Sequence, residues 1–581
     1  KEFLLANLLA PAGAGTFSPA LSQAEYSRLL ERSRLGLSSR TEYWSRGRWA
    51  ESGAQYGNFE KFSYDLYWDY LQDPGQRINN EVELRRFGVQ MKLQLTPEDS
   101  LFARVSTVDL TSGDLFQYYD PAFASRELRV HEKQEPLVLI GYHREWNPGV
   151  HTLVAVSRLQ DTYRTTNAAT PIVLVARSEL NDVEAVLGSS IRERFRGEAV
   201  MYSAEVQQIW QTPATATVVG GRFQYGELDS EVIQNNPNQY VEFFPMPPDN
   251  ALEQDLGWLM RRWTAYGYHS WRVFEPLQLV GGVTYDRLEM PENFRMAPLS
   301  ADTTTIERVS PKAGVIWTPL KDTTVRFAYT RSLGGVTFEQ SHQLEPSQVA
   351  GFVQSYRSII PENEAGALSG ARFETYGLSL EQRFKTGTYL AIHGEMLYSD
   401  LRRVGGAYDV LETEDFALPS KLREELDYRE HSLTFTANQL LGAHWSLGGQ
   451  YRLSQAVLKN DFVDIPDQMS GFLVNFVPRQ RRESVLHQLT LHAVFNHECG
   501  FFARSEALWL AQSDESYAPT QPGDDFWQFN VFAGYRFPRR RAEIQLGILN
   551  LGDQDYRLRT LNLHSDLPRE RTFAARLQFD F

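Results

Sequence analysis

Short connections rich in charge, Pro and Gly recur along this chain, and long polar stretches separate them. The short ones lie at Glu60-Lys61, Thr96–Asp99, Asn147–Gly149, Thr212-Pro213, Glu275-Pro276, Thr318–Asp322, Lys385–Gly387, Leu441–Ala443, Glu498–Gly500 and Pro538–Arg541. Among the long ones are Asp114–Pro136, Asp229–Leu256, Gly335–Ala371 and Asn460–Glu483. Tight turns alternating with long loops is the asymmetry of outer-membrane barrels, whose turns face the periplasm and whose loops face outward. About ten turns and about eleven outer connections join about 22 strands, an even count such as single-chain bacterial barrels carry.

The segments between these connections alternate with a period of two. Phe62, Tyr64, Leu66, Trp68 and Tyr70 interleave with Lys61, Ser63, Asp65 and Asp69. The same holds for Val325, Phe327 and Tyr329, for Trp445 to Leu453, and for Trp527 to Phe537. The chain ends on Phe573, Ala575, Leu577, Phe579 and Phe581, interleaved with Thr572, Arg576, Gln578 and Asp580. Most of these sets run about ten residues, enough for a tilted strand to cross a bilayer, whereas strands of soluble proteins run about five or six. The expected fold is all-β, a transmembrane antiparallel up-and-down barrel. Its first strand lies near Arg34–Trp44 and closes against the last, so the barrel occupies residues 34–581. Residues 1–33 form a separate periplasmic or lumenal segment, with a short helix predicted at Tyr26–Arg32 behind the capping-box spacing of Ser22 and Glu25.

Composition narrows the function classes. Mean hydropathy is −0.41, and no run of about 18 apolar residues appears, so helical spans are excluded. Aromatic residues make up 13% of the chain, including 27 Tyr and 12 Trp, which suits rings of amphipathic side chains at the membrane interface. A formal net charge of −15 argues against nucleic acid as a partner. Cys499 is the single cysteine; it sits in a turn and can form no disulfide framework within the chain. His487, His492 and His497 are five residues apart and alternate between strand faces, so they cannot converge on a metal. No G-x-S-x-G elbow is present. No catalytic residue, metal or cofactor is assigned, and the chain is read as a non-enzyme.

The segment Asn550-Leu-Gly-Asp-Gln-Asp-Tyr-Arg557, followed by an outer loop, Pro568–Phe573 and a strand ending in Phe, resembles the C-terminal signature of TonB-dependent outer-membrane receptors. Leu344-Glu-Pro-Ser-Gln-Val-Ala-Gly-Phe352 resembles a stretch of receptor-like barrels that follow tetratricopeptide repeats in larger polypeptides. The resemblance implies transport across the outer membrane by a barrel of about 22 strands. It also implies an N-terminal plug, which the thirty or so residues before the first strand cannot build. The plug or gate is therefore expected from elsewhere, in the form of a periplasmic plug, a helical-repeat protein or a TonB-type partner. The opening residues lack the basic n-region of a signal peptide, so a processed chain or the C-terminal part of a longer polypeptide is expected.

Strand parity places Arg326, Glu381, Glu395, Arg452, Glu506, Arg536, Glu543 and Arg576 on the lumen face, where they pair across strands or select solutes. The apolar middle of the loop Gly335–Ala371, with Val349, Phe352 and Val353, is expected to fold inward and occlude the lumen. Arg479, Arg481 and Arg482 are read as an outer-loop basic patch facing lipopolysaccharide phosphates or solvent. The favoured function is movement of a substrate across the cell outer membrane. The alternative is an outer-membrane anchor or adhesion scaffold that displays loops or holds a periplasmic assembly.

Overall fold

The computed structural model describes residues 34–581 except 116–123, 181, 237–249, 335–342, 355–369, 412–416, 467–472, 518–519, 522 and 563. Residues 1–33, with the predicted short helix, lie outside the described residues. One sheet holds 23 strands. Leaving aside Leu473–Val474, two residues on an outer loop, 22 of them form a closed antiparallel ring running from Arg34–Trp44 to Thr572–Asp580. The ring closes where the first strand pairs with the last, from Ser38↔Asp580 to Trp44↔Ala574. Leu37 and Phe581 exchange both backbone hydrogen bonds, at 3.1 and 2.9 Å. Inside the seam, Ser38 Oγ donates to Asp580 and Arg576 Nε to Glu42 Oε2.

The two-residue period separates the faces of the wall. Phe573 and Phe581 are about three-fifths exposed, and Trp445, Leu447, Trp527, Phe529 and Val531 also point outward. Ser454, Gln528 and Asn530, of opposite parity, are buried on the inner side. Outward apolar and inward polar is the reverse of a soluble sheet and the mark of a wall solvated by lipid.

At the loop end the strands run on well past membrane thickness. Val150–Arg177 has 28 residues and Val183–Gln211 has 29, where about ten suffice to cross. The expected loops are accordingly shorter: Thr215–Asn235 and Asn250–Phe274 enter Asp229–Leu256, while Arg129–Asn147 and Arg479–Asn496 begin inside two others. These extensions are polar on their outer face and so read as loops. In water a ladder needs no apolar outer face, and cross-strand partners such as Gln160–Glu198 at 2.9 Å and Arg402–Glu425 at 2.9 Å support them.

The last outer connection is organised by Asn550, fully buried at φ 51°, a left-handed conformation that Asn tolerates better than most residues. Its Nδ2 donates to the carbonyls of Gln554 and Pro568, and its Oδ1 accepts from Gln554 N. Tyr556 stacks on Phe526, with ring centroids 5.2 Å apart, and donates to the Leu567 carbonyl. The Asn and the Tyr of this motif therefore fold the connection back onto the inner wall. Asn550→Ala should destabilise the barrel by about 2–3 kcal/mol in urea unfolding from lipid vesicles, because it leaves buried carbonyls unpaired. Leu551→Ala, at an exposed neighbour, should have little effect.

Candidate functional site

The connection between Thr323–Leu333 and Arg372–Arg383 turns into the ring. Its residues 343–354 lie along the inner wall, with Gln348–Val349 and Phe352–Val353 forming a two-stranded hairpin. Ala350 and Gly351 at its tip both have positive φ, 50° and 89°, as tight hairpin turns require. Val349, Ala350 and Phe352 pack with Tyr266, Tyr268 and Ala328, while Leu344 packs with Phe102, Leu139, Leu153 and Ala155 further round the ring. Two wall glycines make room. A Cβ at Gly314 would stand 2.7 Å from that of Ala350, and one at Gly377 would stand 2.2 Å from the Phe352 ring. Phe352 also stacks on His393, centroids 4.9 Å apart.

Buried polar groups hold this segment. Glu205 accepts from Leu344 N at 3.0 Å, Glu345 N at 3.1 Å and Tyr266 OH at 2.7 Å. Gln207 donates to the Leu344 carbonyl at 2.6 Å. Glu345 accepts from Tyr268 OH at 2.6 Å and Thr284 at 2.9 Å, with Lys312 Nζ 4.0 Å away. Gln354 ties the returning chain to Tyr268 and to the Pro346 carbonyl. The segment is thus docked like a bound ligand: if it leaves, buried Glu205 loses two backbone donors and Lys312 loses the Glu345 carboxylate. Its tip lies against Arg326, a few residues from the turn that opens Thr323–Leu333, so a connection from the loop end reaches almost to the turn end.

A second element bridges the loop-side mouth. Tyr408–Leu411 pairs in parallel with Leu174–Arg177, although the parent strands Thr388–Leu411 and Val150–Arg177 stand eight places apart in the ring of 22. Leu473–Val474 pairs in parallel with Val186–Leu187 on the far side. Three outer hairpins are thereby woven into one sheet across the opening. Parallel strands need both faces covered, and both are. Ile172, Leu174, Ile191, Tyr408 and Val410 form one apolar cluster; Val175, Val183, Val186, Ala407, Leu422 and Ile465 form the other. Tyr408 OH donates to Gln234, whose amide donates to Glu193. Ion pairs fasten the rim: Arg177–Asp409, Lys421 to both Glu292 and Asp302, and Arg423 to Asp464, each with a contact of 2.9 Å.

The lumen candidates are distributed round the wall and do not converge. Arg326 pairs with Glu381, Arg536 with Glu543 at 2.7 Å, Arg576 with Glu42 at 3.0 Å, and Arg452 with Glu430 at 3.0 Å. Glu506 pairs with Arg504, and Glu395 lies 3.6 Å from His393. Val349 and Phe352 are buried in the docked hairpin and Val353 is half-buried. Arg479 and Arg481 stand in a strand, not in a loop, and are paired with Asp461 and Glu483. The sequence reading missed the roles of Glu205, Tyr266 and Tyr268, which carry only the inward parity shared by half the wall, and of Glu345, which lies in the docked segment itself. It also missed the mouth sheet, for which a signal existed: Pro171–Ala176 is apolar without interruption, the pattern of a strand buried on both faces.

Two outcomes follow from this geometry. In a Cys499→Ser background, maleimide should label Ala350→Cys slowly and label Ala350→Cys/Gly377→Val about tenfold faster, because a valine at 377 overpacks the Phe352 site. The rim ion pairs of the mouth sheet should loosen in acid. Hydrogen bonding and charge from Lys421 hold the Asp302 carboxyl below its ordinary range. Burial pushes Asp464 up, but the hydrogen bonds and charge of Arg423 outweigh it and leave that carboxyl lowered as well. A lowered carboxyl stabilises the closed arrangement above its free value and loses that contribution as pH falls through the lowered one. Hydrogen exchange of amides 172–176, corrected for intrinsic rates, should therefore accelerate below about pH 4, while Glu193, raised by burial against the hydrogen bond from Gln234, adds a separate contribution that is lost toward higher pH.

A comparison with curated protein sequences gives no match. Among solved structures, the copper transporter OprC is similar over 95% of this chain and 80% of its own length, with 12% identity and a TM-score of 0.63. The FrpB iron transporter from Neisseria meningitidis matches over 95% and 82%, with 11% identity and a TM-score of 0.61. The ferripyoverdine receptor of the outer membrane of Pseudomonas aeruginosa matches over 95% and 72%, with 12% identity and a TM-score of 0.59. At such identities the likeness is one of fold. The family model described as "TonB dependent receptor-like, beta-barrel" matches residues 12–343, more than half of the sequence. The chain belongs to the TonB dependent receptor-like β-barrel family.

Proposed function

We propose that this chain is an outer-membrane transport protein whose loop-side gate is the woven sheet at its mouth. The turns face the periplasm, and a periplasmic plug, helical-repeat or TonB-type partner supplies the second gate. The sheet itself carries the reading. A display scaffold has no need to cover its own opening, whereas a conduit of 22 strands leaks unless it is closed. The docked hairpin narrows the lumen below, and its contact near Arg326 puts it within reach of a partner on the turn side. Family membership and the metal and iron transporters among the structural neighbours support solute movement over anchoring. The paired inner charges favour no single sign of solute.

Ala176 and Val410 face each other in the parallel ladder, close enough for a disulfide once both are cysteine. In a Cys499→Ser background, oxidised Ala176→Cys/Val410→Cys protein should show no potassium chloride conductance in planar bilayers, even when a destabilising Leu174→Asn substitution is added. Reduction should restore opening events. Equal conductance in the oxidised and reduced forms would remove the sheet from the gate and leave the anchor or adhesion scaffold as the better account.

A further inference from the structure

Residues 343–354 reach the inner wall from a connection, yet the groups that receive their first turn stand on strands of the ring. Glu205 and Gln207 belong to Val183–Gln211, Tyr266 and Tyr268 to Asn250–Phe274, Thr284 to Leu277–Asn293 and Lys312 to Ser300–Leu320. Over these residues the register from strand to strand is unbroken: Glu205↔Arg222, Gly220↔Tyr266, Tyr266↔Thr284 and Gly282↔Lys312. The ladder therefore holds the receiving surface in shape whether or not the segment is docked, as a preorganised site requires.

What this surface recognises is visible in the segment it holds. Glu205 accepts from two successive backbone N–H groups, those of Leu344 and Glu345, and Gln207 donates to the Leu344 carbonyl. Any peptide offers these groups. Two adjacent side chains add selectivity. Leu344 fills an apolar pocket of Phe102, Leu139, Leu153 and Ala155. The Glu345 carboxylate accepts from Tyr268 OH at 2.6 Å and Thr284 Oγ1 at 2.9 Å, with Lys312 Nζ 4.0 Å away. The scattered ion pairs of the wall select no sign of charge; this site does.

Charge is also a poor way to fix a permanent stopper. Glu205, Lys312 and Glu345 are no more than 4% exposed, and burying such groups costs much of what their attraction returns. A vacated wall regains water from the polar interior of the barrel. Docking is thus close to balanced, and a competing chain with the same groups can replace the segment.

We propose that this inner-wall surface is a receptor for peptides in which an apolar residue precedes a glutamate, with residues 343–354 as its built-in competitor. Acidic peptide is then the substrate class of the conduit; that role rests on the transport reading above, whereas binding does not. A barrel that binds the peptide and fails to pass it would sink only the conduit.

The probe is a fluorescein-labelled peptide with the sequence of residues 343–354, read by anisotropy against the folded barrel in detergent. Heat-modifiable gel migration confirms that each variant is folded. The wild-type barrel should bind the probe weakly, because its own segment competes at high effective concentration. A variant carrying a glycine-serine linker of equal length in place of residues 343–354 should bind it about tenfold more tightly or better. Glutamine for the peptide's glutamate should weaken binding to that variant about tenfold. Lys312→Gln should shrink the difference between the two peptides, which general damage to the wall would not do. A peptide that keeps only the leucine and the glutamate, with alanine elsewhere, should bind the linker variant and lose affinity in the same way. No gain on replacing the segment overturns the competitor, and equal affinity for the glutamate and glutamine peptides overturns recognition of the carboxylate. Binding of the chain's own sequence alone would make the surface a structural dock and overturn the receptor.

Discussion

Every backbone N–H and C=O of a strand in lipid must be paired, because no water is there to take its place. The rest of this molecule depends on that constraint, and the seam between Arg34–Trp44 and Thr572–Asp580 is where it is met last. Seven residue pairs and the reciprocal bonds of Leu37 and Phe581 leave the ring without an edge over the apolar band. Once the ring is closed, parity does the rest. The residues that face lipid in one strand dictate the inner face of that strand and, through register, of its neighbours.

Above the membrane the constraint lapses, and the same strands obey different physics. Water can solvate an edge there, so Val150–Arg177 and Val183–Gln211 leave the ring and lean across the opening. They find new partners in parallel ladders. A parallel ladder in water is stable only if covered on both sides, which is why Pro171–Ala176 is apolar throughout. The chain thus carries two codes, alternating where a wall strand such as Trp527–Val531 has lipid outside and a polar face inside, and continuous where both faces are buried.

These codes differ in how well the sequence reveals them. Alternation is local, so the strand count, the turns and the boundaries of the first strand follow from residues such as Phe62 to Tyr70 and Trp527 to Phe537. Strand extensions such as Asp229–Asn235 were hidden because polar residues on the outer face are compatible with loop and ladder alike. The inward fold of the loop was legible from the isolated apolar patch Val349–Val353. Its docking site was not. Glu205 is an ordinary inward residue until Leu344 and Glu345, more than a hundred positions away, each place a backbone N–H against its carboxylate. The partnership of Tyr408 with Leu174 is non-local in the same way, and no periodicity reports it.

The docked hairpin and the mouth sheet share a wall strand. Near the lower end of Thr388–Leu411, His393 stacks on Phe352; at its upper end, Tyr408 pairs with Leu174. Between them the strand is hydrogen-bonded along its whole length to Leu418–Leu441, without a break in register. A shift that lifts Phe352 from the wall therefore acts on the strand that anchors the sheet. A force on the sheet returns by the same route to the buried carboxylates of Glu205 and Glu345. Both elements are built on one continuous ladder, which is the route by which a displacement of either would reach the other.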